Sequence, residues 1–312
     1  MTTDQVRVGR RTIQLSRTDK VLFPDDGLTK GDLVSYYETV APQMVPYLKR
    51  RPLSLERFPD GIGGQRVFQQ TVPRYFPGWI ETASVKRVGG AGNVKHAVVG
   101  STAALVYLAN QACITPHAWL SRADRPKNPD QLIFDLDPPG DDFPAARRAA
   151  LDVHQLLTEL GLPSLVKTTG GKGLHVHVLL DRTADFDQVR EFAKGVAQVL
   201  VARDRKRYTT EQRIAKREGR LYLDIMRNAY GQTAVPPYAV RARSKAPVAT
   251  PLDWNELDDR RLRGDRFTIR TVPRRLDQDG DPWHAASHRG RSLTRPRRQL
   301  NELLTETEAL KA

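Results

Sequence analysis

The sequence predicts an α+β fold with mixed or antiparallel sheets. Three observations carry that expectation. Alternating strand-like runs and amphipathic helical runs follow one another without the strict βαβ alternation of a doubly wound sheet. No internal repeat is present, which sets solenoids and propellers aside. At 312 residues the chain suits one large domain or two closely packed lobes.

The bulk numbers narrow the partner. Lys and Arg total 50 against 36 Asp and Glu, a net charge of +14. Such an excess points to a polyanion, nucleic acid before membrane. No apolar run reaches the ~18 residues of a membrane-spanning helix. The N-terminus lacks the charged and apolar regions of a signal peptide. The single Cys113 rules out an intrachain disulfide and a cysteine-based zinc cluster, and fits a cytoplasmic, reducing compartment.

In chain order, residues 11–15 read as a short edge strand. Thr29 caps a helix through Val34, Tyr36, Tyr37 and Val40 that is expected to stop near Pro42. Lys20 and Lys30 flank its entry, where they serve either as surface charges or as a phosphate site. Pro52–Phe58 alternates like a strand and leads into a glycine-rich loop over 59–68. There Phe68 either stacks on a base or anchors the loop. Ser101 caps an apolar helix to about Ala112, and His117 and Trp119 follow it.

The strand around which the chain is organised is Ile133-Phe134-Asp135-Leu136-Asp137, stopped by Pro138-Pro139. Residues two apart on a strand share a face, so Asp135 and Asp137 project together and need a neutralising charge. A divalent cation with hard oxygen ligands, Mg²⁺ or Mn²⁺, supplies one. Beyond it the sequence predicts a helix over 143–160 closed by Gly161, a strand over 165–168, and a glycine-rich turn over 169–173. A strongly alternating strand over 174–180 and a helix over 186–202 complete the set.

The turn Thr169-Gly170-Gly171-Lys172-Gly173 has the character of an anion cradle without being a Walker loop. His175 and His177 share one strand face. Zinc there would require at least three protein ligands, and no third His or Cys stands at a suitable spacing. Residues 203–220 carry eight Arg or Lys against three acids and lead into the strand 221–225, which bears a third carboxylate, Asp224. Trp254 to Leu262 reads as helical. Residues 260–300 hold twelve Arg against four Asp with little apolar periodicity, and are expected to wrap the surface or stay partly disordered.

Three strand-borne carboxylates with substrate phosphates match the two-metal geometry of in-line phosphoryl transfer, with ions about 3.5–4 Å apart. His117, Lys172, His175, Arg217 and Arg241 are candidates to balance a triphosphate. Jointly these features point to nucleotidyl transfer.

Several segments, in this order, resemble one family: LSRTDKVLFP (15–24), RPLSLERFPDG (51–61), IFDLDPP (133–139), KTTGGKGLHVHV (167–178), YLDIMRN (222–228), PPYAVRAR (236–243) and APVATPLDW (246–254). Over about residues 10–258 the chain is similar to the polymerase domain of bacterial ligase D, the end-joining branch of the archaeo-eukaryotic primase superfamily. The resemblance implies two opposed sheets around a central cleft and template-dependent nucleotide addition, with ribonucleotides often preferred and Mn²⁺ often more effective than Mg²⁺. It places the metal carboxylates at Asp135, Asp137 and Asp224, and triphosphate contacts at His117, Thr169, Lys172, Arg217 and Arg241. His175 falls in the motif shared across the superfamily, and Lys20 and Lys30 in the pocket for a DNA 5′-phosphate. Arg17 stands where Asn is common, Val67-Phe68 where relatives carry an aromatic pair, and Thr169 where Ser is common.

No Lys-x-Asp-Gly adenylation motif is present. The expectation is therefore a catalytic domain over 1–270 with a basic C-terminal extension over 271–312. It would act as a monomer on gapped or broken DNA with nucleoside triphosphates, and would rely on a separate ligase and end-binding protein. The competing expectations are a non-catalytic binder of DNA ends or gaps, and a metal-dependent nuclease using the same carboxylates.

Overall fold

The computed structural model describes residues 4–284 and 289–309. Within them the chain is α+β, as the sequence predicts. It divides into two compact units, each visited more than once. The first holds Met1–Asp124, Thr233–Thr250 and Asp265–Asp281; the second holds Arg125–Gln232, Pro251–Gly264 and Pro282–Ala312.

The first unit is built on an antiparallel sheet in the order Thr233–Ala234, Cys113–Trp119, Leu53–Arg57, Asn93–Ala97, Thr82–Lys86. Val67–Gln69 adds to Leu53–Arg57 alone. This last strand shortens the glycine-rich loop expected over 59–68. His117 lies within a strand, not in a segment trailing a helix. Helix Lys30–Leu48 packs against helix Thr102–Asn110. Both caps are as predicted: Thr29 Oγ1 accepts from Asp32 N–H, and Ser101 Oγ from Ala104 N–H.

The first helix does not stop near Pro42. It runs through Pro42 and Pro46 to Leu48. Each proline removes one backbone donor. The helix tolerates this because Leu33, Val34, Tyr37, Val40, Met44 and Leu48 form a buried stripe along its whole length.

The second unit holds a four-stranded antiparallel sheet in the order Gln131–Leu136, Leu174–Leu179, Ser164–Thr168, Pro251–Leu252. Helices Phe143–Glu159 and Phe186–Arg203 pack on it through buried apolar faces. Gly161 takes φ 72° just past the first of these, the left-handed conformation that closes a helix.

The described residues between 260 and 300 are more ordered than their composition suggests. Helix Val272–Asp279 packs on Lys30–Leu48 in the first unit, and Thr294–Ala309 packs on Phe186–Arg203 in the second. A few apolar anchors suffice: Val272, Trp283, Leu293 and Leu300 are buried. Gly195 lets Leu300 approach, since a Cβ there would lie 2.9 Å from Leu300 Cδ2. Residues 254–262 form only a single 3-10 turn, Trp254–Asp258. Among the described residues no helix is long and apolar enough to cross a membrane.

Candidate active site

Leu132, Ile133, Phe134 and Leu136 are all buried, so the strand Gln131–Leu136 is fixed on both faces and carries Asp135 inward, 5% exposed. An ionised carboxylate at that depth is stable only with partners. His175, directly opposite on the neighbouring strand, places Nε2 3.2 Å from Oδ1, and Arg227 Nε lies 3.2 Å from Oδ2. Burial opposes ionisation of Asp135, but His175 and Arg227 outweigh it and hold the carboxyl well below the usual range. Burial and the charge of Lys167 bring His175 down to about 4. At neutral pH His175 is therefore an uncharged donor through Nε2–H, and Arg227 is the cation that balances Asp135. His175 Nδ1 is buried with no partner among the described residues.

Asp224 reaches the same place from residues 89 positions on. Asp135 N–H donates to Asp224 O at 3.0 Å and Asp224 N–H returns to Asp135 O at 3.3 Å. Asn228 fixes this junction. Its Oδ1 accepts from Ile133 N–H at 2.8 Å, and its Nδ2 donates to Ile133 O at 2.7 Å and Ile225 O at 2.9 Å. A buried side chain thus satisfies the backbone that a further strand would have paired. Burial raises the Asp224 pKa, and the charge of Asp135 adds to the rise. Met226 N–H, Arg227 and Arg217 offset it only in part. The two carboxylates leave unbalanced negative charge between them.

Asp137, two residues on, is exposed just beyond the strand. The glycine turn packs against it: a Cβ at Gly173 would lie 2.4 Å from Leu136 O and 2.5 Å from Asp137 Oδ1. Only glycine allows that approach. Gly173→Ala is expected to cost about 1–3 kcal/mol and to displace Asp137, read out as a lower denaturant midpoint with slowed nucleotide addition. Thr169 Oγ1 accepts from Gly171 N–H at 3.2 Å and Gly173 N–H at 3.3 Å, and donates to Gly173 O at 3.1 Å. The hydroxyl is thus a staple inside the turn, a role the sequence did not suggest. Lys172 is exposed and pairs with Asp141 at 2.9 Å. Arg217 lies over the Tyr222 ring at 4.4 Å and is held by Glu211 O and Gln212 O.

The first unit gathers a second set. His117 Nε2 lies 3.0 Å from Glu56 Oε2, Arg66 Nε lies 2.7 Å from Glu56 Oε1, and the Phe68 ring meets His117 edge-on at 5.6 Å. Burial opposes the Glu56 charge, but His117, Arg66 and Arg241 together keep its pKa lowered. Phe68 is 45% exposed, with the Arg66 guanidinium 5.2 Å from its centre.

Lys20 and Lys30 come together at the start of helix Lys30–Leu48, where Lys30 N–H donates to Lys20 O at 2.8 Å. Lys20 Nζ pairs with the exposed Asp60 at 2.6 Å. Lys30 is buried, and its Nζ donates to Ser16 Oγ at 3.2 Å. Burial, then Arg17, then Lys20 bring its pKa down to about 8, against a small opposing effect of Asp19. Lys30 is charged below that pH and neutral above it, so a phosphate here would restore the charge. Discrimination in favour of a 5′-phosphorylated gap is expected to weaken as pH rises from 7 to 9, measured as the ratio of dissociation constants for phosphorylated and unphosphorylated gaps. A ratio constant across that range would contradict the assignment.

Among the described residues no three His, Cys, Asp or Glu side chains converge as metal ligands. Asp135 and Asp224 are brought together, and Asp137 is not joined to them as a third ligand. The donor set nevertheless fits a hard divalent cation: two bridged carboxylates, one with raised proton affinity. Asp135 and Asp224 would hold such a cation.

Comparison with known proteins decides the family. The model of the "LigD, primase-polymerase domain" family matches residues 29–283. The chain belongs to the LigD primase-polymerase family. Members of this family are nucleotidyltransferases of the DNA-directed polymerase class. Similar proteins include the bifunctional non-homologous end joining protein LigD of Bacillus subtilis, 31% identical over 87% of this chain and 43% of that protein. The multifunctional LigD of Pseudomonas aeruginosa is 32% identical over 94% of this chain and 35% of that protein. The chain thus spans well under half the length of these LigD proteins. The fold matches the polymerase domain of Mycobacterium tuberculosis ligase D in complex with DNA, with a TM-score of 0.82 and 31% identity over 87% of this chain and 96% of that one.

In this LigD-type domain the sequence reading missed Arg227, Asn228, Glu56 and Lys167. The strand expected over 221–225 is only Leu221–Tyr222, and Asp224 lies beyond it in an isolated bridge; Arg227 and Asn228 follow within four residues, a position that could have flagged them. Lys167 is fully buried and sits opposite His175 in the sheet register. A lysine inside an apolar strand was the available signal.

Proposed function

We propose that the chain is a template-dependent polymerase that adds nucleotides, ribonucleotides in preference, to 3′ ends at gaps or breaks in DNA. The observation that carries this is the Asp135–Asp224 junction, two backbone-bridged carboxylates whose negative charge is only partly balanced. Asp135 and Asp224 would hold Mn²⁺ or Mg²⁺, with Asp137 joining them only once metal and substrate phosphates are bound. When bound, such ions activate the 3′-hydroxyl and stabilise the charge that develops on pyrophosphate.

The chain's own residues supply positioning and charge. His175 donates to Asp135 and keeps that carboxylate aimed along its strand. Thr169 shapes the turn that presents Lys172 to phosphate oxygens. Arg217 adds charge for the triphosphate. The 3′-hydroxyl oxygen bonds to the α-phosphorus as pyrophosphate leaves. Phe68 offers an exposed ring to a template base, and Lys20 and Lys30 offer charge to the 5′-phosphate at the far side of a gap.

Kinship with end-joining LigD proteins supports a place in break repair. Residues after 270 add basic contact surface for DNA.

Primer extension across a short gap tests the reading, comparing ribo- with deoxynucleotides, Mn²⁺ with Mg²⁺, and a phosphorylated with an unphosphorylated 5′ end. The expected result is faster ribonucleotide addition, stimulation by Mn²⁺, and a preference for the phosphate that Lys20→Ala removes. Shortening of the labelled strand would replace this reading with nuclease chemistry.

A further inference from the structure

The edge strand Val67–Gln69 carries more than Phe68. Neighbouring residues of a strand face opposite sides of the sheet, so Phe68 shares one face with His117 while Gln69 turns to the other. There Arg57 Nη1 donates to Gln69 Oε1 at 2.7 Å and to the Tyr75 hydroxyl at 2.9 Å. Tyr75 is 60% exposed, the most exposed aromatic side chain among the described residues. It is also held in place. Pro73 and Pro77 bracket it, Phe76 N–H closes a turn onto Pro73 O, and the buried Phe76 meets the Tyr75 ring edge-on at 5.4 Å.

Arg57 bonds the hydroxyl of this ring, and further cations stand on neighbouring segments. Arg74 is exposed beside Tyr75. Lys95 is exposed on the strand whose carbonyl accepts from Val72 N–H at 2.8 Å. Neither pairs with a carboxylate among the described residues. Further along, the Arg11 guanidinium lies 4.5 Å above the Trp79 ring. A fixed, exposed ring among unpaired cations is the chemistry of a single-stranded nucleic-acid platform, where bases stack and phosphates pair.

We propose that Tyr75, with Arg57, Arg74 and Lys95, forms a second stacking site that takes unpaired bases of the template strand after they pass Phe68. Phe68 and Tyr75 then lie on opposite faces of one edge strand, and a single strand rounding that edge meets both. The proposal rests on the DNA-binding reading above and adds a subsite to it.

The test uses the full chain and recessed duplexes whose 5′ template overhang is absent, short or long, with 2-aminopurine at successive overhang positions. In the wild type, affinity rises with overhang length and the probe is quenched at positions beyond the first unpaired bases. Tyr75→Ala is expected to lower the ratio of overhang to overhang-free affinity by about tenfold and to abolish distal quenching. Tyr75→Phe retains both. Overhang dependence and quenching unchanged in Tyr75→Ala would overturn the proposal, as would loss of the same effects in Tyr75→Phe. Wild-type protein that binds none of the duplexes would overturn the DNA-binding reading instead.

Discussion

Asp224→Asn is expected to abolish nucleotide addition, by about a thousandfold or more, while the protein becomes slightly more stable. The two effects have one cause. Burial and the facing charge of Asp135 raise the Asp224 pKa, so the folded state resists ionising this group more than the unfolded chain does. Above the carboxyl's ordinary range that ionisation subtracts from stability, and the amide removes the penalty with almost no change of shape. Met226 N–H can still be accepted by the side-chain oxygen, which it meets at 2.7 Å in the carboxylate. Stability lost together with activity would mean that the carboxylate is an ordinary structural partner. Thermal unfolding at neutral pH and single-turnover extension on the same preparation separate the two outcomes. Asp135→Asn should be equally inactive without the stability gain, because it leaves Arg227 and His175 beside a neutral group.

Asn228→Ala is expected to destabilise the fold by on the order of 3–5 kcal/mol. Asn228 is fully buried and its amide makes three hydrogen bonds to backbone: to both polar groups of Ile133 and to Ile225 O. Alanine leaves the N–H and C=O of Ile133 unpaired in the strand that carries Asp135, while Ile225 O keeps the Asn228 backbone N–H at 3.1 Å. Asn228→Asp should be little better, since a carboxylate would face the two carbonyls that the amide nitrogen now serves. Urea unfolding monitored by circular dichroism gives the cost directly. A loss below about 1 kcal/mol would show that the junction does not depend on this side chain.

Much of the site was legible because it is local in sequence. Alternation and the Pro138-Pro139 stop located the Asp135 strand. The spacing of His175 within its own strand, and a tight glycine turn before it, located the neighbour. Capping residues Thr29 and Ser101 located two helix starts from single side chains. The parts that escaped are set by distance along the chain. The bond between Arg227 and Asp135 joins residues 92 apart, and the Asp135–Asp224 bridge depends on where two strands end in space. No pattern within a window of residues encodes either. Helix Lys30–Leu48 outran its prolines because tertiary burial outweighed two lost donors. The segment after 260 outdid its composition because Val272, Trp283, Leu293 and Leu300 are few but each finds a packed site. The glycine at 173 was visible as turn chemistry, yet its reason, contact with Leu136 O and Asp137, is a property of the folded pair.

The most direct test of the central claim is gel-resolved extension of a labelled primer across a short 5′-phosphorylated gap, with manganese and each nucleotide supplied singly. Templated nucleotidyl transfer at Asp135 and Asp224 predicts that the primer grows only with the nucleotide complementary to the gap, stops when the metal is chelated, and does not grow with Asp224→Asn. A primer of unchanged length under every combination, with the gap still bound tightly, would contradict it and leave the chain a non-catalytic binder of DNA gaps.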